Sequence, residues 1–169
     1  MLLVLAANVA VAADLLERDP EGGGVGIMLG EPTGISLAYR PGGRVWYDGA
    51  LAWSIPNFFQ VHSDACIDLA DLRTADLPDM HFPLWIGAGV RARLGGGSGY
   101  DEFNLGVRVP LGFGFWHNAL PIEGFFELVP GVGVFPRSEF IFDGGVGARI
   151  YFPVANTGKR YATAEPDPY

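Results

Sequence analysis

The residues able to do chemistry are few, and their spacing restricts them further. His62 and Asp64 stand two apart, which on an extended strand puts both side chains on one face and suits an acid–base pair. Ser63 between them would be the nucleophile of a lipid hydrolase, so a lipid-modifying enzyme is one reading of the chain. Ser63 must point to the opposite face, however, and cannot hand its proton to His62 directly. A hydrogen-bonded histidine on a polar strand face is the better expectation. His81 and His117 fall in turns, and three scattered histidines do not make a metal site. Glu123 and Glu127 are about 13 Å apart along one strand face by the rise per residue, which suits pairing with separate arginines better than glycoside hydrolysis. The run from Gly95 to Gly99 lacks the Lys-Ser/Thr and the helix of a phosphate loop. Cys66 is the single cysteine, which excludes an internal disulfide and a cysteine-based zinc site. No catalytic residue, cofactor or metal is expected.

These residues sit in a chain of 169 residues with 25 glycines, 13 prolines and 13% aromatics, a composition of short strands and turns. The formal charge of −8 and the lack of a basic stripe exclude nucleic acid as a partner. From Val25 onward the hydrophobic pattern has a period of two. Val25, Ile27 and Leu29 form the apolar face of a first strand. Ile35, Leu37 and Tyr39 follow on a second, then Val45 to Trp53 on a third and Phe59 to Ile67 on a fourth. A polar link, Ala70 to His81, divides the chain. Four more strands are expected over Leu84–Leu94, Phe103–Trp116, Ile122–Leu128 and Phe140–Phe152, with a last loop from Gly131 to Glu139. Several are about ten residues long, the length a tilted strand needs to cross a bilayer.

The face opposite the aliphatic one separates a soluble sheet from one in lipid. A solvated face is rich in Lys, Glu, Thr and Gln. Here it carries glycine, alanine and isolated charges, and the chain's one lysine, Lys159, lies in the tail. A crowded barrel interior explains this, with Arg91, Arg93, Arg108 and Arg149 paired against Asp48, Asp64, Asp68, Glu123, Glu127 and Asp143, and His62 among them. Aromatics add two belts. Trp53, Phe58, Phe59, Phe103, Phe140 and Phe142 fall towards one end of the strands, and Tyr47, Phe82, Phe113, Phe115, Tyr151 and Phe152 towards the other.

Residues 1–13 are apolar and end in Ala10-Val11-Ala12-Ala13, as a secretory leader does; no Lys or Arg follows Met1, which an incomplete or an atypical leader explains, and a buried N-terminal helix is the alternative. A polar lead over residues 14–23, a barrel over 24–152 and a disordered tail over 153–169 complete the expected organisation.

The motifs Gly30-Glu31-Pro32-Thr33-Gly34, Asp48-Gly49-Ala50-Leu51-Ala52-Trp53-Ser54, His62-Ser63-Asp64, Gly106-Val107-Arg108-Val109-Pro110-Leu111-Gly112, Phe126-Glu127-Leu128-Val129-Pro130 and Gly147-Ala148-Arg149-Ile150-Tyr151-Phe152 follow one another in order. Through them the chain resembles small outer-membrane proteins of the OmpA/OmpX-like barrel type, and more closely a family of uncharacterised bacterial outer-membrane barrels. Gly147, Ile150 and Phe152 also resemble the assembly signal of such barrels, although Val146 stands where a polar residue is usual and a tail follows. The resemblance implies an all-β, eight-stranded antiparallel up-and-down transmembrane β-barrel in the bacterial outer membrane. Its partners would be outer-membrane lipid and, during biogenesis, the barrel-assembly machinery. The expectation is a non-enzymatic monomer with a structural or surface-interaction role. A soluble or periplasmic lipocalin-like ligand-binding barrel, its aliphatic face turned inward, is the alternative from another class.

Overall fold

The computed structural model describes residues 21–54, 58–72, 76–95, 103–117 and 120–152. The expected leader, most of the polar lead and the tail lie outside the described residues. Every described element is a β-strand. They are β1 (Gly22–Glu31), β2 (Thr33–Arg40), β3 (Val45–Ser54), β4 (Phe58–Asp71), β5 (Met80–His81), β6 (Pro83–Gly95), β7 (Phe103–Arg108), β8 (Leu111–His117), β9 (Ile122–Phe135) and β10 (Glu139–Phe152). All pairings are antiparallel, and they run β1-β2-β3-β4-β6 by successive neighbours. β7 and β8 both lie between β6 and β9 and so share one position in the sheet. β9 pairs with β10, and β10 pairs with β1, Gly23 standing opposite Phe152. The pairing therefore returns to its starting strand after eight positions. That leaves only short stretches of edge, which suits so many exposed apolar strands.

The sheet has ten strands where eight are expected from the period-two pattern. One difference is Pro110, which lacks the N–H that a ladder needs and splits the run from Phe103 into β7 and β8. The register nonetheless carries through the break. Arg108 opposes Gly131 and Leu111 opposes Leu128, with the Pro110 carbonyl accepting from Gly87 N at 2.8 Å. The other difference is β5, two residues of the polar link that pair with His117 and Trp116. Element ends also shift. Gly22 and Gly23 of the expected lead belong to β1, Ala70 and Asp71 of the expected link belong to β4, and the expected last loop is mostly strand, since β9 runs on to Phe135. Gly131 and Gly133 read as part of a loop, but the partner strands β7 and β10 supply the hydrogen bonds that hold those residues extended. At Asp68 to Ala70 the register slips by one residue, and Arg44 donates to the freed carbonyls of Asp68 and Leu69 at 2.8–3.1 Å.

The two faces differ as the alternation requires. On β4, Gln60, His62, Asp64, Cys66 and Asp68 are buried while Phe59, Val61, Ser63 and Ile67 are exposed. Exposed aromatics line up across strands near one end. Trp53 opposes Phe59, Phe59 opposes Leu94, Leu94 opposes Phe103, and the Phe103 and Phe135 rings are 6.4 Å apart. Two residues expected in the belts are not there. Phe58 and Tyr151 are buried, because each shares the pleat of the polar face, Phe58 with Gln60 and Tyr151 with Arg149.

Large rings fit on the buried face because glycine stands opposite them. Trp85 faces Gly112, Phe125 faces Gly147 and Tyr151 faces Gly24 across paired strands. A Cβ at Gly112 would meet the Trp85 ring itself. Gly112→Val is therefore expected to lower stability by about 1–3 kcal/mol through overpacking, read as a lower urea midpoint for unfolding. An unchanged midpoint would remove ring-over-glycine packing from the account.

Candidate functional site

The buried face carries ionic groups that strand alternation alone delivers there. Arg149 of β10 is 1% exposed, and its Nη1 lies 3.3 Å from Glu123 Oε2 on the neighbouring β9. The side chain also crosses over β1, where Gly26 stands opposite it. Beyond Gly26, Arg149 Nε donates to Ser36 Oγ on β2 at 2.8 Å and Nη2 pairs with Asp48 on β3. One guanidinium thus ties β9 and β10 on one side of β1 to β2 and β3 on the other. Its fork geometry serves two carboxylates and a hydroxyl at once, which a lysine ammonium does less well.

Arg40 of β2 continues the chain. Its Nη1 holds Asp68 Oδ2 at 2.9 Å and its Nη2 holds Glu123 Oε1 at 3.3 Å. The Tyr151 hydroxyl donates to Glu123 Oε2 at 2.7 Å, and Trp46 Nε1 donates to Asp68 Oδ1 at 2.8 Å. The Arg40 guanidinium also lies 4.1 Å over the Trp46 ring, and that of Arg149 lies 3.9 Å over Phe125. Towards the other end of the strands, Arg91 Nη1 takes both oxygens of Asp143 at 2.9 and 3.1 Å, with Gln60 beside them. Arg108 Nε stands 3.1 Å from Asp64 Oδ1.

Of the eleven residues expected in the network, Asp48, His62, Asp64, Asp68, Arg91, Arg108, Glu123, Glu127, Asp143 and Arg149 are all buried. Arg93 is half-buried, its guanidinium stacked 3.5 Å from the Phe58 ring centre rather than in the chain of ion pairs. Glu123 pairs with both Arg40 and Arg149, whereas Glu127 is buried with Oε1 lacking a hydrogen-bond partner. Arg40 is the residue that the sequence reading missed. Its signal was available, since it shares a face with Gly34, Ser36 and Ala38, but its place beside the turn at Pro41 hid it. His81, expected in a turn, forms a 2.7 Å pair with Asp71 and stacks on Trp116 at the same end as Arg40.

A direct proton relay between Ser63 and His62 has no support in this geometry. Ser63 is exposed on the opposite face from His62, as the pleat requires. What does gather at His62 is two carboxylates. Asp48 and Asp64 stand directly opposite each other on β3 and β4, and one donor atom from each of Asp48, His62 and Asp64 lies within 4.8 Å of the others. Comparison with protein-family models, curated proteins and solved structures finds no match to the chain.

Removing one member of a buried ion pair leaves the other charged and dry, which costs about 3–5 kcal/mol. Arg149→Leu strands Asp48 and leaves Glu123 to Arg40 alone, and is expected to lose at least that much stability or to fail to fold. Arg149→Lys is expected to recover less than half of the loss. Arg44→Ala, at a partly exposed site, is expected to cost under about 1 kcal/mol. Urea unfolding of the three variants ranks them, and equal midpoints for Arg149→Leu and Arg44→Ala would refute the central role of Arg149.

Proposed function

We propose that the chain is an integral β-barrel of the bacterial outer membrane, eight positions round, with a packed and charge-paired interior and a structural or surface-interaction role rather than a catalytic one. The observation that carries this reading is the inversion of polarity. Arginines, carboxylates, a glutamine and two histidines are buried, while aliphatic and aromatic side chains are exposed on every strand except the two-residue β5. Val90 is 59% exposed and Phe140 76% exposed. Soluble monomers rarely expose contiguous apolar patches beyond a few hundred Å². A surface that is apolar all round is at ease in hydrocarbon, where a sheet must close so that no backbone group is left unpaired.

Three further features support it. The aromatic row through Trp53, Phe59, Phe103 and Phe135 at one end, and Tyr39 and Tyr47 at the other, has the placing of interfacial girdles. The described ends of β1 and β10 meet, so an even number of crossings returns the chain to the side on which it began. Trp46, Trp85, Trp116, Tyr151 and the ionic chain fill the buried face among the described residues, which argues against a wide solute pore. A lipocalin-like barrel would need Val90, Val107 and Ile150 turned inward; all three are exposed. In this reading the barrel's partners are outer-membrane lipid and the barrel-assembly machinery.

Two measurements test it. The protein is expected in the detergent-extracted membrane fraction, with different gel mobility before and after boiling. Recovery in the soluble fraction with identical mobilities would end the proposal. Val90→Arg separates the solvents directly. In water an exposed Val to Arg change is close to neutral, whereas near the middle of a bilayer it costs about 2–4 kcal/mol. Loss of that order in lipid vesicles is the expected result.

A further inference from the structure

We propose that Asp48, His62 and Asp64 form a binding site for one divalent transition-metal ion of the Zn²⁺ class. The three side chains come from β3 and β4 and are all buried on the same face. Their nearest donor atoms lie within 4.8 Å of one another. Zinc bonds to imidazole nitrogen and carboxylate oxygen are about 2.0–2.2 Å, so movements of less than about 1 Å each close the three donors onto an ion. One imidazole and two carboxylates is a nitrogen–oxygen set that first-row divalent metals accept, with further positions left for water.

Two independent features point to a ligand. The first is unused bonding capacity. His62 Nδ1 has no hydrogen-bond partner although the residue is 4% exposed, and neither oxygen of Asp64 has a well-aligned one. Buried polar groups are rarely left so. The second is charge. Six carboxylates are buried, namely Asp48, Asp64, Asp68, Glu123, Glu127 and Asp143, against four buried guanidiniums, Arg40, Arg91, Arg108 and Arg149. The surplus is two negative charges, which one divalent cation matches. Arg149 and Arg108 flank the two carboxylates. Each stands against the Oδ1 of one aspartate, as an outer partner that orients a ligating carboxylate. A small cavity of about 10 Å³, room for about one water-sized guest, has His62, Arg108, Glu127, Glu31 and Pro32 in its wall.

The site does not depend on which solvent surrounds the sheet, and its test is separate from extraction behaviour. The protein, prepared folded in detergent without a histidine tag and stripped with a chelator, is equilibrated with Zn²⁺, freed of unbound ion by gel filtration and assayed for metal. One Zn²⁺ retained per chain is expected. His62→Gln and Asp64→Asn should each weaken retention by at least the 10- to 100-fold that loss of an outer partner costs, while His81→Gln leaves it unchanged. Because either buried substitution can prevent folding, Co²⁺ is added to the unaltered protein as well, where visible absorption of a low-symmetry nitrogen–oxygen site is expected. No retained Zn²⁺ and no Co²⁺ spectrum, or full retention in folded His62→Gln, overturns the proposal; the first outcome would mean that protons on two of the carboxyls balance the charge.

Discussion

Every other feature of this protein follows from the need to pair charge away from water. An isolated carboxylate or guanidinium is so costly to bury that each must have a partner within reach. Arg149 meets Asp48, Glu123 and Ser36, and Arg40 meets Asp68 and Glu123. These contacts span β2, β3, β4, β9 and β10, so they hold only in one register of the sheet. A slip of one residue on any of these strands would turn its charges outward and its aliphatic side chains inward. The ion pairs are thus devices of specificity at least as much as of stability.

Small residues make that pairing geometrically feasible. The buried face alternates large with absent side chains. Gly26 lets the Arg149 side chain pass over β1, Gly112 receives Trp85, and Gly147 receives Phe125. Where an aromatic and a glycine face each other, the ring covers backbone that would otherwise face a void, and neighbouring cations gain a π face. Arg149 over Phe125, which faces Gly147, is of this kind, whereas Arg40 lies over Trp46, which faces Cys66. The high glycine content is therefore a packing requirement of the crowded face as well as a feature of turns.

The proposed membrane reading and the proposed metal site draw on opposite faces of the same pleat. Outside, the sheet presents Val, Leu, Ile and Phe with hardly a polar interruption. Inside, buried carboxylates outnumber buried guanidiniums, and two of the carboxylates, Asp48 and Asp64, oppose each other beside His62. Like charges directly across a strand pair are unfavourable. A third charge or a proton must moderate them, and the position of His62 makes a cation chemically reasonable.

The amino-acid sequence by itself determined the strand class, the two faces and most of the buried charges, because a period of two is a local property that each strand displays alone. It placed Arg91, Arg108, Arg149 and their six acids on one face without knowing any pairing. It also determined where the alternation lapses, yet not what the lapses become. The break at Pro110, the two-residue β5 and the strand over Val129 to Phe135 all depend on hydrogen bonds from neighbouring strands. Which acid meets which arginine was likewise beyond it, since Arg149 and Asp48 are 101 residues apart and Arg40 and Glu123 are 83 apart. Only the registry of the assembled sheet brings such groups together. The cluster of Asp48, His62 and Asp64 is the plainest case, because cross-strand opposition exists in no single strand.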